Sequence, residues 1–392
     1  MSAESSIAWG QGGYDATADS LAWLNTSPRS GPAVPTILDR AFALKLAKGM
    51  THLPFATWNF GDSVAFDALV DTTERTSDEQ WATFVRAWGR SWATRARPFA
   101  RLDCTAPGLA LVRVAERYDD RILLDALKDL ADFLRSRPRL LGAYETWTSA
   151  PLLHPYGSPA MSGADQEWLT NPPACICVDC LHFDAPFFVR LGRAIGDHTL
   201  VADGVGQALA YITALQKSSG LFDHFSLAGS DETFGPGWGR GQGWAMLGML
   251  DVIADHPDGM LNGQVATIAD SARRQIDAMV ATQRADGHWP VVVTESSSGD
   301  EYSTTAFMVA GFVRAAQLKV VPWATVSASV KRAVQALGSA FDESGNLREV
   351  SAAVYASTVA EHYRHVPRGY VVPWGQGPAL LAVWKWLESG DL

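Results

Sequence analysis

Apolar residues recur every three to four positions along most of this chain, and that spacing constrains the fold more than any single motif. Ile268, Ala272, Ile276 and Met279 form one such stripe running up to Gln283. Leu109, Val112 and Ala115 form another, and Leu124, Leu127, Leu130 and Leu134 continue it after a break at Tyr118-Asp119-Asp120. The pattern predicts helices near 38–51, 62–74, 78–96, 107–118, 121–136, 179–194, 198–217, 242–255, 264–284, 303–318, 325–341, 350–362 and 376–388. Hardly any stretch alternates in the manner of a strand. Turn chemistry separates the segments: Gly192 to Asp197, His256-Pro257-Asp258-Gly259, and Ser77 ahead of Asp78 and Glu79. Helix pairs repeat at roughly 50 to 65 residues, so the chain is either an open solenoid or a closed toroid of helical hairpins.

Closure is favoured by where the unusual residues fall. Clusters such as Val178-Asp179, Phe222-Asp223-His224, Asp286-Gly287-His288-Trp289 and Tyr302-Ser303-Thr304-Thr305 lie at helix starts spread over the whole length. Concentric helices would gather those ends at one mouth. The chain carries 15 tryptophans, more than packing asks for, and indole faces are platforms for sugars. Gly237-Trp238-Gly239-Arg240-Gly241-Gln242-Gly243-Trp244 concentrates two indoles, a guanidinium and an amide among four glycines, a combination suited to a sugar acid.

Composition removes other classes. A net charge of −10 with scattered Lys and Arg argues against nucleic acid as a partner. No apolar run approaches the roughly 18 residues that cross a bilayer, so no membrane is expected. Residues 1 to 30 lack a basic start and apolar core, which predicts no secretory signal and a cytoplasmic location. Cys175, Cys177, Cys180 and Cys104 do not supply two ligand pairs at zinc spacing; they read as small buried apolar residues, with no metal and no cofactor expected. No linker divides residues 1–392, so a single domain is expected, with an N-terminal extension over about 1–35 and an inserted loop over about 137–177. The expected state is a monomer or homodimer.

Several blocks, in order over about residues 100 to 385, resemble the unsaturated glucuronyl and rhamnogalacturonyl hydrolases of glycoside hydrolase families 88 and 105. Leu102-Asp103-Cys104-Thr105-Ala106-Pro107-Gly108 resembles the first aspartate block, and Val178-Asp179 with Ala185-Pro186-Phe187 the second. Gly220 to His224, then Trp238 to Trp244, resemble the His and Trp-x-Arg-Gly blocks; Gln283 to Trp289 and Tyr302 to Ala306 resemble the next two. The resemblance implies an all-α (α/α)6 six-hairpin barrel. It also implies a substrate: an oligosaccharide whose terminal uronic acid carries the C4=C5 double bond left by a polysaccharide lyase.

The implied chemistry protonates C4, adds water at C5, and lets the resulting hemiketal collapse with release of the next sugar. One carboxyl must serve as proton donor and then as base, which an apolar surround assists. Asp179, between Val178, Cys180 and Leu181, fits that role, with Asp103 as its partner. The resemblance assigns substrate contacts to His224, Trp238, Arg240, Gln242 and Trp244, and the leaving-sugar side to His288, Trp289 and Tyr302. A conventional inverting glycosidase, a sugar epimerase or isomerase, and a non-catalytic toroid are the competing readings. Asp179 as a mere helix cap is the bland alternative for the central residue. Three features depart from the family pattern: the enlarged 137–177 segment, the cysteines beside both aspartates (Cys104 and Cys180), and His182 where a hydrophobic residue is usual.

Overall fold

Twelve helices among the described residues alternate between two environments along the chain. In the computed structural model, which describes residues 28–53, 55, 60–94 and 107–392, α1 (Arg40–Met50), α3 (Gln80–Ala93), α5 (Arg121–Arg135), α8 (His198–Leu215), α10 (Asn262–Thr282) and α12 (Trp323–Leu337) bury one face. Between them, α2 (Phe60–Thr76), α4 (Gly108–Tyr118), α7 (Cys180–Ile195), α9 (Gly239–Asp255), α11 (Tyr302–Gln317) and α14 (Pro373–Glu388) are buried on nearly every side. The sequences dictate this sorting. In α5 the buried Leu123, Leu127, Leu130 and Leu134 form a single stripe, whereas α9 is apolar or glycine around most of its circumference. One-sided helices form the outer layer and all-round helices the inner one.

Each inner helix packs on the next, α2 on α4, then α7, α9, α11 and α14, and α14 packs back on α2. The ring closes as a six-hairpin α/α barrel. Because an outer helix intervenes between successive inner ones, the inner helices run in the same direction, and their N-terminal ends share one mouth. Helix starts are fixed by side chains: Asp39 accepts from the Phe42 N–H at 2.8 Å, and Asp120 accepts from Leu123 and from the Arg86 and Arg90 guanidinium groups.

Two of the outer-to-inner corners are built alike. At the end of α8, the Gln216 amide donates to the carbonyls of Gly220 and Ser271, and Ser271 Oγ donates back to Gln216 Oε1 at 2.7 Å. After α10, Gln283 does the same with Gly287 and Ser329. Gly220 (φ +90°) and Gly287 (φ +91°) take left-handed conformations, and a Cβ at either would collide with the Arg274 or Arg332 carbonyl of the next outer helix. The corners that carry His224 and His288 are thus locked by the same Gln-x-x-x-Gly device.

Two expectations need correction. The 350–362 stretch has helical spacing but is irregular, with only the short α13 (His362–His365) beyond it. Its backbone has other partners: the Ser351 carbonyl accepts from Trp374 Nε1, the Ala352 carbonyl from Arg240, and the Ala356 carbonyl from the Leu153 N–H. The 137–177 segment is not merely a loop. It holds a hairpin of β1 (Arg139–Leu140) and β2 (Ala143–Tyr144), then α6 (Gly163–Thr170) with a Ser162/Asp165 capping box, then β3 (Cys175–Cys177). β3 pairs antiparallel with β4 (Phe225–Leu227), which pairs with β5 (Thr233–Phe234). No helix among the described residues is long and apolar enough to cross a membrane.

Candidate active site

The sheet positions the central carboxyl. Cys177 pairs with Phe225, and the Val178 N–H donates to the His224 carbonyl at 2.8 Å, so Asp179 and His224 are cross-strand neighbours just beyond the ladder. Asp179 precedes α7 with a helical backbone (φ −54°, ψ −37°), and its side chain makes no capping bond. The carboxylate is therefore not spent on its own helix. Its Oδ2 is buried without a hydrogen-bond partner and lies 3.5 Å from His224 Nε2.

His224 is held from three sides. Its Nδ1 lies 2.6 Å from the Tyr363 hydroxyl, its ring packs on Trp238 at 4.3 Å between centroids, and its own N–H donates to the Phe234 carbonyl. Burial, with the nearby Cys177 and Asp179, pushes the Tyr363 pKa up, so the phenol keeps its proton. The tautomer in which that hydroxyl donates to Nδ1 carries the ring proton on Nε2, on the side of Asp179. Gly235 makes room for this contact, since a Cβ there would overlap the Tyr363 hydroxyl. Tyr363 had no sequence signal of its own, because it follows a run with helical spacing and an aromatic in that place reads as packing.

Arg240 is turned inward. Only 1% exposed, it bonds Glu301 Oε2 at 3.2 Å, Ser351 Oγ at 2.6 Å and the Ala352 carbonyl at 3.1 Å, and lies over the Trp238 ring. Burial lowers its pKa while the charges of Glu301 and Asp179 raise it. Glu301, fully buried, also accepts from Ser303 and from the Ser351 N–H. The expected clamp on a substrate carboxylate is thus replaced by an internal ion pair that ties the starts of α9 and α11 to the 351–352 segment.

The remaining predicted contacts divide. Gln242 is fully buried and brackets the Phe222 backbone, donating to its carbonyl at 2.8 Å and accepting from its N–H at 2.9 Å; it supports the strand carrying His224 and offers nothing to a ligand. Trp244 is enclosed by His182, Phe183 and Phe307, and Trp289 donates to the Met279 carbonyl and packs on Phe312. Both indoles are fully buried, so neither provides the expected sugar platform. His288 stacks on the half-buried Tyr302 at 4.1 Å and faces Thr305 Oγ1 at 3.1 Å; burial pushes its pKa down to about 4. Arg284, Asp286 and Asp300 flank that pair. Asp103 lies outside the described residues. Cys175 and Cys177 are free thiols 3.9 Å apart within a buried apolar cluster, and no group of three His, Cys, Asp or Glu among the described residues has metal-holding geometry.

A closed ring of helical hairpins with a polar, aromatic-walled mouth and one uncommitted carboxyl places this protein among the α/α-barrel glycoside hydrolases. The chain belongs to Glycosyl Hydrolase Family 88, whose sequence pattern matches residues 42–389. The unsaturated rhamnogalacturonyl hydrolase YesR of Bacillus subtilis (strain 168) is 24% identical over 353 residues, which span 88% of this chain and 93% of that one. A possible member of the GH105 family from Salmonella enterica serovar Paratyphi A superposes with a TM-score of 0.75 at 18% identity, over 89% of this chain and 93% of its own. The unsaturated glucuronyl hydrolase of Bacillus sp. GL1 gives 0.60 at 20% identity, over 96% and 97%. At these identities the structural likeness speaks to the barrel alone.

Proposed function

We infer that this glycoside hydrolase removes a terminal unsaturated uronic acid from lyase-generated oligosaccharides by hydrating its C4=C5 double bond, with Asp179 as the acid and base. The single observation that carries the assignment is the Asp179 carboxyl, buried beside His224 and left free by its own helix. Its proton goes to C4, water adds at C5, and the proton from that water returns to the carboxylate. The hemiketal so formed opens and releases the next sugar. His224, oriented by Tyr363, binds the ring beside Asp179, and the Trp238 indole, only 2% exposed, backs the imidazole from behind. Arg240 acts at one remove, as a buried positive charge near the carboxylate. Asp103 is the partner carboxyl in this reading, and His288 with Tyr302 borders the leaving sugar.

The Bacillus subtilis relative makes an unsaturated rhamnogalacturonyl disaccharide the first substrate to try. The reading takes the barrel as the single catalytic domain, places it in the cytoplasm, and casts the 137–177 segment as a lid over the mouth. The test follows the ultraviolet absorbance of the conjugated double bond. Wild type should bleach it and Asp179→Asn should not; no bleaching by wild type with either galacturonyl or glucuronyl substrates would remove the proposal.

A further inference from the structure

The start of α9 brings a buried positive charge up to the start of α7. A Cβ at Gly241 would lie 3.2 Å from Val178 Cγ1, and one at Gly248 would collide with the Leu181 carbonyl, so these two inner helices meet with backbone close to backbone. Asp179 follows Val178 in the chain, and Arg240 precedes Gly241. The Arg240 guanidinium lies over the Trp238 ring at 5.1 Å, and that ring packs on His224, whose Nε2 faces Asp179. An enclosed cation therefore stands near enough to Asp179 for each charge to act on the other.

The other groups around Asp179 differ from it in kind. On β3, the hydrogen-bonded Cys175 and burial push the Cys177 thiol up, so it keeps its proton. Tyr363 keeps its proton as well, and His224 stands in the tautomer described above. Asp223, next to His224 in the chain, is occupied by Lys217 and Thr233. The permanent charge facing Asp179 among the described residues is thus Arg240, and the one ion-pair partner of Arg240 among them is Glu301. Glu301 is fully enclosed, and it accepts from the Ser303 hydroxyl at 2.6 Å and the Ser351 N–H at 3.0 Å as well as from Arg240 Nη1 at 3.2 Å.

An acid that also serves as base has to hold a proton when the double bond arrives and take one back from water afterwards. An unmasked guanidinium beside it in a buried place would favour the carboxylate at both stages and leave no acid to begin with. A carboxylate paired with that guanidinium cancels most of the field. We propose that Glu301 is a positioning residue for the reaction: by neutralising Arg240, it leaves Asp179 able to carry its proton. The inference rests on Asp179 being the acid and base.

Carboxyl 13C NMR on the full chain, with the Asp179 resonance assigned by its loss in Asp179→Asn, reads the titration midpoint of that residue directly. Glu301→Gln should lower the midpoint by about one pH unit or more. Arg240→Met/Glu301→Gln, with both charges gone, should return it to the wild-type value or above. In the absorbance assay the alkaline limb of the kcat profile should follow, moving to lower pH in the single variant and back in the double one. A purely structural role would lower stability or kcat and leave midpoint and limb in place. Should Glu301→Gln fail to fold, Arg240→Met leaves Glu301 its Ser303 and Ser351 donors, and Asp179 should titrate at higher pH there than in Arg240→Met/Glu301→Gln. An unmoved midpoint in Glu301→Gln, or equal midpoints in that last pair, would overturn the proposal. A wild type that bleaches no unsaturated substrate would remove the hydrolytic assignment instead, and the NMR midpoints would still decide whether Glu301 governs the proton on Asp179.

Discussion

At the N-terminal mouth of the inner ring, polar groups are set among rings: Asp179 faces His224, which leans on Trp238 and bonds Tyr363, and beneath them lies the ion pair of Arg240 with Glu301. Along the axis toward the C-terminal ends, the same helices line a cavity with carboxylates and guanidinium groups that neutralise one another pair by pair. Both regions leave one carboxyl without a committed partner, Asp179 in the first and Asp67 in the second. They arrive there differently. Asp179 is free because its helix does not need it as a cap, whereas Asp67 is left over because nearer carboxylates have taken the cations. A polar group uncommitted in a buried place is costly, and each of the two therefore marks a position where a ligand or a proton has to be accommodated.

Four measurements test that contrast. The largest effect should come from Asp179→Asn, which removes the acid and base and should lower kcat by about 100- to 10,000-fold in the absorbance assay. Next, Glu301→Gln leaves the Arg240 charge buried without its counterion, and the urea unfolding free energy should fall by about 3–5 kcal/mol. If that variant kept full stability, the Arg240–Glu301 pair would not be what secures the mouth.

The third concerns pH. The proton on Asp67 stabilises the fold fully below its unfolded value of 3.8, and that contribution is lost as pH rises through about 8. His182 (6.5 lowered to about 3), with His288 and His362 (both lowered to about 4), runs the opposite way, its contribution lost as pH falls from 6.5. Asp251, raised to about 6, has finished titrating by then. Above about pH 7, where those histidines are mostly uncharged in both states, the stability of wild type should therefore fall up to about pH 8.5, by at most about 1.4 kcal/mol per pH unit, and Asp67→Asn should flatten the slope. The smallest effect is expected from Tyr363→Phe, which removes one hydrogen bond to His224 worth about 1 kcal/mol. It should lower kcat several-fold with little change in KM and move the pH–rate profile; an unchanged profile would make Tyr363 a packing residue.

The inner and outer layers were legible in the sequence because one-sided and all-round apolar patterns are distinct, as α5 and α9 show. The mouth was legible in part. Asp179, His224 and Trp238 fall at helix starts and strand ends, where glycine and aromatic punctuation marks them. Glu301 was not singled out although it stands next to Tyr302, because its role depends on Arg240 and Ser351, which lie 61 and 50 residues away. Gln242, Trp244 and Trp289 sit in conspicuous blocks for reasons of packing, and block membership alone does not separate an indole that faces a ligand from one that donates to the Met279 carbonyl. The 350–362 stretch shows tertiary partners overriding local preference: three of its carbonyls serve Trp374, Arg240 and Leu153. His182 was visible as an oddity, and the cavity explains where it points but only three-dimensional structure brings Asp67 and Asp251 to either side of it.

The pairing of Cys177 with Phe225 has a consequence for how this enzyme can be altered. The separation of Asp179 from His224 is counted out in residues along a two-strand ladder rather than set by the size of any side chain in it. Substituting within the strand changes what surrounds the pair but leaves the count intact. Removing or adding one residue within the paired stretch from Cys175 to Val178 would shift the count by one and carry the carboxyl away from the imidazole in a single step. Length, more than composition, is the inherited constraint on that stretch of chain.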